Sequence, residues 1–158
     1  MTADPTLAKD RELMQLASEE ASQKRSHYYY SMDPQARVIG ASAERSEITV
    51  ELSLDQQCGN QSALIQLDEG MVATAADFWT SVVISAVSGG RQSVTTSLTV
   101  QTTRARVQQG VRSVRVVCRA TSADESAAPA ASAMFVDPED PEIVYATVLH
   151  SKAWKKSM

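Results

Sequence analysis

The sequence of 158 residues contains only two cysteines, Cys58 and Cys118, and only two histidines, His27 and His150. Two cysteines are too few for a disulfide-stabilised scaffold and favour a reducing compartment. These four residues lie far apart and lack the spacing of a metal-binding motif, so we predict no metal site. The hydrophobic share of 43% and the charged share of 22% are typical of a soluble globular domain.

Acidic residues are absent from a long internal segment. Residues 78–123 contain no Asp or Glu, but they contain six arginines: Arg91, Arg104, Arg106, Arg112, Arg115 and Arg119. The net charge of the whole chain is −4, which argues against a general nucleic-acid binder. One interpretation is that these arginines are solvated or form a subunit interface. The other is that some of them bind an anionic ligand.

No targeting signal is evident in the sequence. The first twenty residues contain five acidic residues and lack the basic and apolar regions of a secretory signal, and acids also disfavour a mitochondrial transit peptide. The last three residues are not the peroxisomal Ser-Lys-Leu signal. The apolar stretch 71–87 is short for a membrane span and contains Asp77, which favours a buried helix. We therefore expect a cytoplasmic protein.

Two segments have the pattern of helices. The first begins with Asp4 as cap and Pro5, and should end near Lys24 and Arg25, with a connection from His27 onward. The second, residues 69–87, is apolar nearly all round and should therefore be covered on both faces. We predict an N-terminal helix and its connection over residues 1–30 and a single domain over 31–158.

The remaining segments alternate with a period of two, which is typical of half-buried strands. Residues 48–54 form the clearest example, and four more strands are predicted over 94–102, 114–120, 131–136 and 143–152. Short connections between them indicate an antiparallel sheet wrapped around the central helix, an α+β fold. Cys118 should then be a core thiol, and His27 and His150 should lie in a surface loop and at a strand end. Lys152 is assigned to the end of the last strand and the solvated tail after it.

Asp77 is the only ionisable residue inside the central helix. An unpartnered buried polar group costs about 2–7 kcal/mol, so a carboxylate there must be paired or must face a cleft. In the first case Asp77 is structural, and in the second it is a candidate general base or nucleophile.

The run from Asp68 to Asp77, the Gly89-Gly90 pair and the strand 93–98 resemble the hotdog-fold acyl-CoA thioesterases, in particular the phenylacetate-thioesterase-like branch. That family shows His-Gly-Gly at the start of an apolar helix and an Asp seven residues after the second glycine. Gly70 and Asp77 keep this step. The resemblance covers about residues 36–153 and implies a hotdog fold with an extra N-terminal helix.

The resemblance implies roles for individual residues. Asp77 falls on the catalytic carboxylate, Thr95 falls near the hydroxyl residue that positions the attacking water, and Gly70 falls on the glycine whose amide helps to hold the oxyanion. The site is expected between two subunits, with Asp77 from one and Thr95 from the other. Candidates to bind the phosphates of coenzyme A are Arg91, Arg104 and Arg106.

This chain has Asp68 and Glu69 where the family has His and the first Gly. These two acids near the substrate oppose an anionic intermediate, cap the helix toward solvent, or take part in catalysis themselves. The leading prediction is a dimeric or tetrameric acyl-CoA thioesterase in which Asp77 activates water, with no cofactor other than the CoA of its substrate. The alternative is a catalytically weak hotdog protein that binds acyl-CoA or serves as an assembly module.

Overall fold

The structure, a computed structural model, describes residues 4–28, 36–54, 67–108 and 110–156, and of 25–28 the backbone only. Two helices and six strands follow one another along the chain. They are α1 (Pro5–Tyr28), β1 (Arg37–Ser42), β2 (Glu47–Ser53), α2 (Glu69–Val87), β3 (Ser93–Thr102), β4 (Ser113–Ser122), β5 (Ala130–Val136) and β6 (Val144–Trp154).

The six strands form one antiparallel sheet in the order β1-β2-β4-β5-β6-β3. Helix α2 packs on one face of this sheet, and α1 packs against α2 and β1. Cys118 is fully buried in the core, as predicted, and burial raises the pKa of its thiol. The sheet, the central helix and the N-terminal helix together confirm the predicted α+β architecture.

Helix α1 begins where the sequence predicts, because Asp4 Oδ1 accepts a hydrogen bond from the Thr6 amide at 2.9 Å. The predicted end near Lys24 is wrong, since the helix continues to Tyr28 and the backbone at His27 is helical. A continuous helical run therefore replaces the start of the predicted connection. The rest of that connection and the predicted loop at 58–62, with Cys58, lie outside the described residues.

Helix α2 has the predicted bounds. Gly89 and Gly90 follow it with φ values of +73° and +86°, a conformation that favours glycine and ends the helix. The helix is long and apolar enough to cross a membrane by length and composition alone, but 61% of its most apolar window is buried inside the fold. It is thus the central core helix that the sequence predicts.

Strand β3 departs from its predicted alternation. Thr95 pairs with Lys152 and Ser97 pairs with Ser151, so Thr96 is an extra residue in a β-bulge. The bulge reverses which side chains face α2: Val94 is 46% exposed instead of inward-facing, and Thr95 turns toward the helix. No simple period of two could place Thr95 correctly.

Strand β6 carries an inward-facing row that changes from apolar to polar along its length. Ala146, Val148, His150 and Lys152 are all buried, with His150 1% and Lys152 4% exposed. The prediction of a strand end for His150 is wrong, because β6 continues four residues beyond it to Trp154. The prediction of a solvated tail for Lys152 is also wrong for the same reason.

Candidate active site

Asp77 lies at the middle of α2 and faces a cleft. Its side chain is 37% exposed, and its Oδ1 accepts a hydrogen bond from Thr95 Oγ1 at 3.1 Å. The cleft has a volume of about 650 Å³ and lies between α1, α2 and the adjoining ends of β3 and β6. Asp77 is therefore both paired and open to the cleft, which are the two conditions that the sequence left as alternatives.

Asp77 and Thr95 meet within one chain. The expectation that Thr95 comes from another subunit is wrong for this contact, because the bulge in β3 turns the Thr95 side chain toward α2 of the same chain. The hydroxyl of Thr95 is exposed to the cleft and has one proton to donate. It is placed to hold the carboxylate, or a water molecule beside it.

His150 joins Thr95 to the interior of α2. Its Nδ1 lies 2.6 Å from Thr80 Oγ1, and its Nε2 lies 2.8 Å from Thr95 Oγ1 and 3.4 Å from Asp77 Oδ1. Thr80 also donates a hydrogen bond to the carbonyl of Ala76 at 2.5 Å. With that proton committed, Thr80 accepts from Nδ1–H, and Nε2 carries no proton. Nε2 can therefore accept the Thr95 proton only when Thr95 does not donate it to Asp77.

His150 is neutral at physiological pH in this position. Its pKa is lowered to about 4, chiefly by burial and also by the ammonium of Lys152, while the carboxylate of Asp77 opposes the shift. A neutral imidazole with a fixed tautomer makes a rigid acceptor for the Thr95 hydroxyl. We identify His150 as a residue that positions the Thr95 side chain beside Asp77.

Lys152 contributes a buried cation to the same cleft. Its Nζ donates to Ser81 Oγ at 2.9 Å and to Thr95 Oγ1 at 3.4 Å. Burial lowers its pKa, the charge of Asp77 opposes that shift, and Lys24 on α1 adds to it. Thr95 is thus contacted by an acid, an imidazole and an ammonium.

Sequence reasoning missed His150 and Lys152. The alternation of side chains along β6 could have identified them. Both residues lie an even number of positions after the buried Val148 and therefore on the same inward face of the strand. Polar residues at inward-facing strand positions need partners, and here those partners are the side chains of the site.

Within one chain, the start of α2 is a capped and exposed helix end. Asp68 Oδ1 accepts from the Met71 amide at 2.9 Å, and the side chain is an exposed N-cap. Glu69 is exposed and accepts from Thr102 at 3.4 Å. Gly70 lies seven residues before Asp77, which is about 10 Å along the helix, so it does not line the Asp77 cleft of its own chain.

The three arginines predicted to bind phosphates do not come together. Arg91 stacks on the ring of Trp154 at 4.3 Å and lies 3.7 Å from Glu125. Arg104 and Arg106 follow the far end of β3, and Arg106 lines a second cleft, of about 540 Å³, beside Asp137. The cations that line the Asp77 cleft are lysines instead: Lys24, Lys152 and Lys155.

No protein-family model and no curated protein sequence matches the chain, but solved structures match its fold. Zebra fish thioesterase superfamily member 2 is 12% identical with a TM-score of 0.69, over 90% of this chain and 98% of that one. The E. coli PaaI protein from the phenylacetic acid degradation operon is 11% identical with a TM-score of 0.67, over 92% and 98%. A hypothetical thioesterase from Streptococcus pneumoniae, solved with coenzyme A, is 8% identical with a TM-score of 0.66, over 85% and 97%.

These similarities confirm the predicted hotdog fold. They extend over 85–98% of the chains compared, so the fold as a whole is shared. Among the described residues, no group of three or more His, Cys, Asp or Glu side chains is placed to hold a metal ion. The polar side chains that meet around Thr95 in the cleft are those of Asp77, His150 and Lys152.

Proposed function

We propose that this chain, which has the hotdog fold of the thioesterase superfamily, hydrolyses acyl-CoA thioesters to a free acid and coenzyme A. The observation that carries the proposal is the carboxylate of Asp77, held by Thr95 at the mouth of a cleft in that fold. The similar Streptococcus pneumoniae structure with coenzyme A supports the choice of thioester. Coenzyme A is part of the substrate, so the reaction needs no cofactor.

In the proposed reaction, Asp77 takes a proton from a water molecule while the water oxygen attacks the thioester carbonyl carbon. The carbonyl π electrons move to oxygen and form a tetrahedral oxyanion. When the carbonyl re-forms, the C–S bond breaks, and the thiolate receives the proton from Asp77. Thr95 orients the water or the carboxylate, and His150 positions the Thr95 side chain.

The active form in this proposal is a dimer or a dimer of dimers. Strand β3 is a ten-residue edge strand with mostly exposed side chains, and such an edge is a ready template for pairing with a second copy. This assembly is the one that the family resemblance implies.

A panel of acyl-CoA thioesters incubated with the purified protein and a thiol reagent tests the proposal directly. Release of coenzyme A from at least one thioester, above the rate with Asp77→Asn, is the expected result. No release from any member, together with saturable binding of acyl-CoA, would favour the alternative function of a catalytically weak binding or assembly protein. Asp68 and Glu69 at the start of α2 are the residues that favour that alternative.

A further inference from the structure

Lys152 has an unusual environment for a lysine. It is 4% exposed, although the four carbons of a lysine side chain usually allow its ammonium to reach water. Removing an ammonium from water costs several kcal/mol unless hydrogen bonds or a counter-charge offset the loss. The fold therefore retains this charge at an energetic cost, at the edge of the cleft that Asp77 faces.

Lys152 and Asp77 do not neutralise each other by direct contact. Among the described residues, Lys152 forms no ion pair, and the hydroxyl of Thr95 lies between the two charges, 3.4 Å from Nζ and 3.1 Å from Oδ1. An ammonium has three N–H donors, and Ser81 and Thr95 receive two of them. The third has no acceptor in the described part of the chain.

We propose that Lys152 is a catalytic residue that donates this third hydrogen bond to the thioester carbonyl oxygen as it becomes an oxyanion. The inference rests on the proposed thioesterase function. Lys152 remains protonated throughout: the carbonyl π electrons move to oxygen and later re-form the carbonyl, and the electron pair of the C–S bond then leaves with the sulfur. Asp77 and Lys152 both line the cleft, so a carbonyl bound there can lie beside the base and the cation together.

The other cations near the cleft are less suited to this role. Lys155 is exposed and its Nζ donates to Gln92 at 3.2 Å, and Lys24 is only partly buried on α1. A fixed, water-excluded charge stabilises a developing oxyanion more than a solvated one, because no solvent has to reorganise.

The first measurement compares Lys152→Met, Lys152→Arg and the control Lys9→Met on the thioester that the wild type hydrolyses best. Lys9 is exposed on α1 and does not line the cleft. We expect Lys152→Met to lower kcat by about 10²- to 10³-fold, the effect of removing one oxyanion donor, with KM changed far less. Lys152→Arg should recover part of the loss, because it restores a cation. Lys9→Met should retain wild-type kcat. Thermal unfolding of each variant identifies any that fails to fold.

The second measurement separates this role from a structural one. Two non-hydrolysable analogues of acetyl-CoA are used, a ketone in which methylene replaces sulfur and a thioether that lacks the carbonyl oxygen. Lys152→Met should weaken binding of the ketone by about tenfold and leave the thioether unchanged, because only the ketone has an oxygen to receive the bond.

Three results would overturn either the Lys152 proposal or the proposed thioesterase function. Wild-type kcat in a folded Lys152→Met overturns the proposal and leaves the thioesterase function intact. Equal weakening of both analogues also overturns it, since the lysine then shapes the cleft without contacting the carbonyl. If the wild type hydrolyses no thioester, the proposed function fails, and the Lys152 proposal fails with it unless the ketone is still distinguished from the thioether.

Discussion

The side chains of Thr95 and His150 meet across the β3–β6 pair, with Oγ1 of Thr95 2.8 Å from Nε2 of His150. Thr95 has one proton, and both His150 and Asp77 are within reach of it. When Asp77 is ionised, Thr95 can donate to its carboxylate. When Asp77 has taken a proton, Asp77 can donate to Thr95, which then donates to Nε2. The network therefore supports both protonation states that a general base passes through.

Asp77→Asn is the first test of this role. The change is nearly isosteric, so the fold should survive, while hydrolysis should fall by ~10²-fold or more through loss of the general base. Thr95→Ala should lower the hydrolysis rate by a smaller factor, because a water molecule can replace part of the hydroxyl's function. Steady-state rates and thermal unfolding of both variants are the measurements. Wild-type turnover in folded Asp77→Asn would show that Asp77 is structural.

The pH dependence of stability reports on His150. Its pKa is about 4 in the folded chain and about 6.5 when unfolded, so between these values the unfolded state binds more protons. Stability should therefore be complete above pH 6.5 and fall as pH decreases toward 4, by up to about 3 kcal/mol from this group. His150→Gln cannot titrate and should lack this component.

Denaturant unfolding of wild type and His150→Gln at several pH values between 4 and 7 measures the difference. The carboxylates that titrate in this range are present in both proteins, so the comparison isolates the histidine. The His150→Gln variant is also expected to retain part of the hydrolysis rate, because the amide oxygen of the introduced glutamine can accept from Thr95. Parallel stability curves for the two proteins would contradict the assigned burial of a neutral imidazole.

The sequence predicted the elements whose patterns are local. Helix α2 has the predicted bounds because Asp68 and the two glycines mark its ends, and β2 was recognisable because buried and half-buried residues alternate without a break. For Asp77, the energetic cost of a buried carboxylate left pairing and a cleft as alternatives, and the structure shows both. These inferences depend on neighbours along the chain, which a single sequence contains.

The rest of the site depends on relations between strands, which the sequence does not display. The bulge at Thr96 arises from the register of β3 against β6, and it alone determines that Thr95 meets Asp77 in the same chain. His150 and Lys152 look like residues of a strand end until the length of β6 is known. The arginines attracted attention by their charge, but the structure disperses them over separate surfaces.

Assembly through the edge strand β3 gives a further prediction. Light scattering should give a mass of two or four times 17.1 kDa. Val94→Lys places a charge on the edge and should shift the protein toward monomer, because charged residues on an edge oppose strand pairing. Leu149→Lys, on the outer face of β6 where Leu149 is 65% exposed, is the matched control and should retain the dimer. A stable wild-type monomer at micromolar concentration would contradict the proposed assembly.

The acidic pair at the start of α2 gives the last prediction. Asp68 caps the helix and Glu69 is exposed, so both point away from the Asp77 cleft of their own chain. The double change Asp68→His with Glu69→Gly should therefore leave kcat within about twofold, since no like charge is removed from the reacting groups. Stability should decrease by about 1 kcal/mol, because the N-cap and a favourable charge at the helix start are lost.

Asp68→Asn, which keeps the capping oxygen, is the control and should retain wild-type stability. A large increase in kcat in the double variant would show that the acids crowd the oxyanion site of an adjoining copy. A large decrease in kcat would instead place one of them among the catalytic carboxylates. Either change in rate, in a protein whose unfolding transition stays cooperative, would require the helix start of one copy to reach the cleft of another.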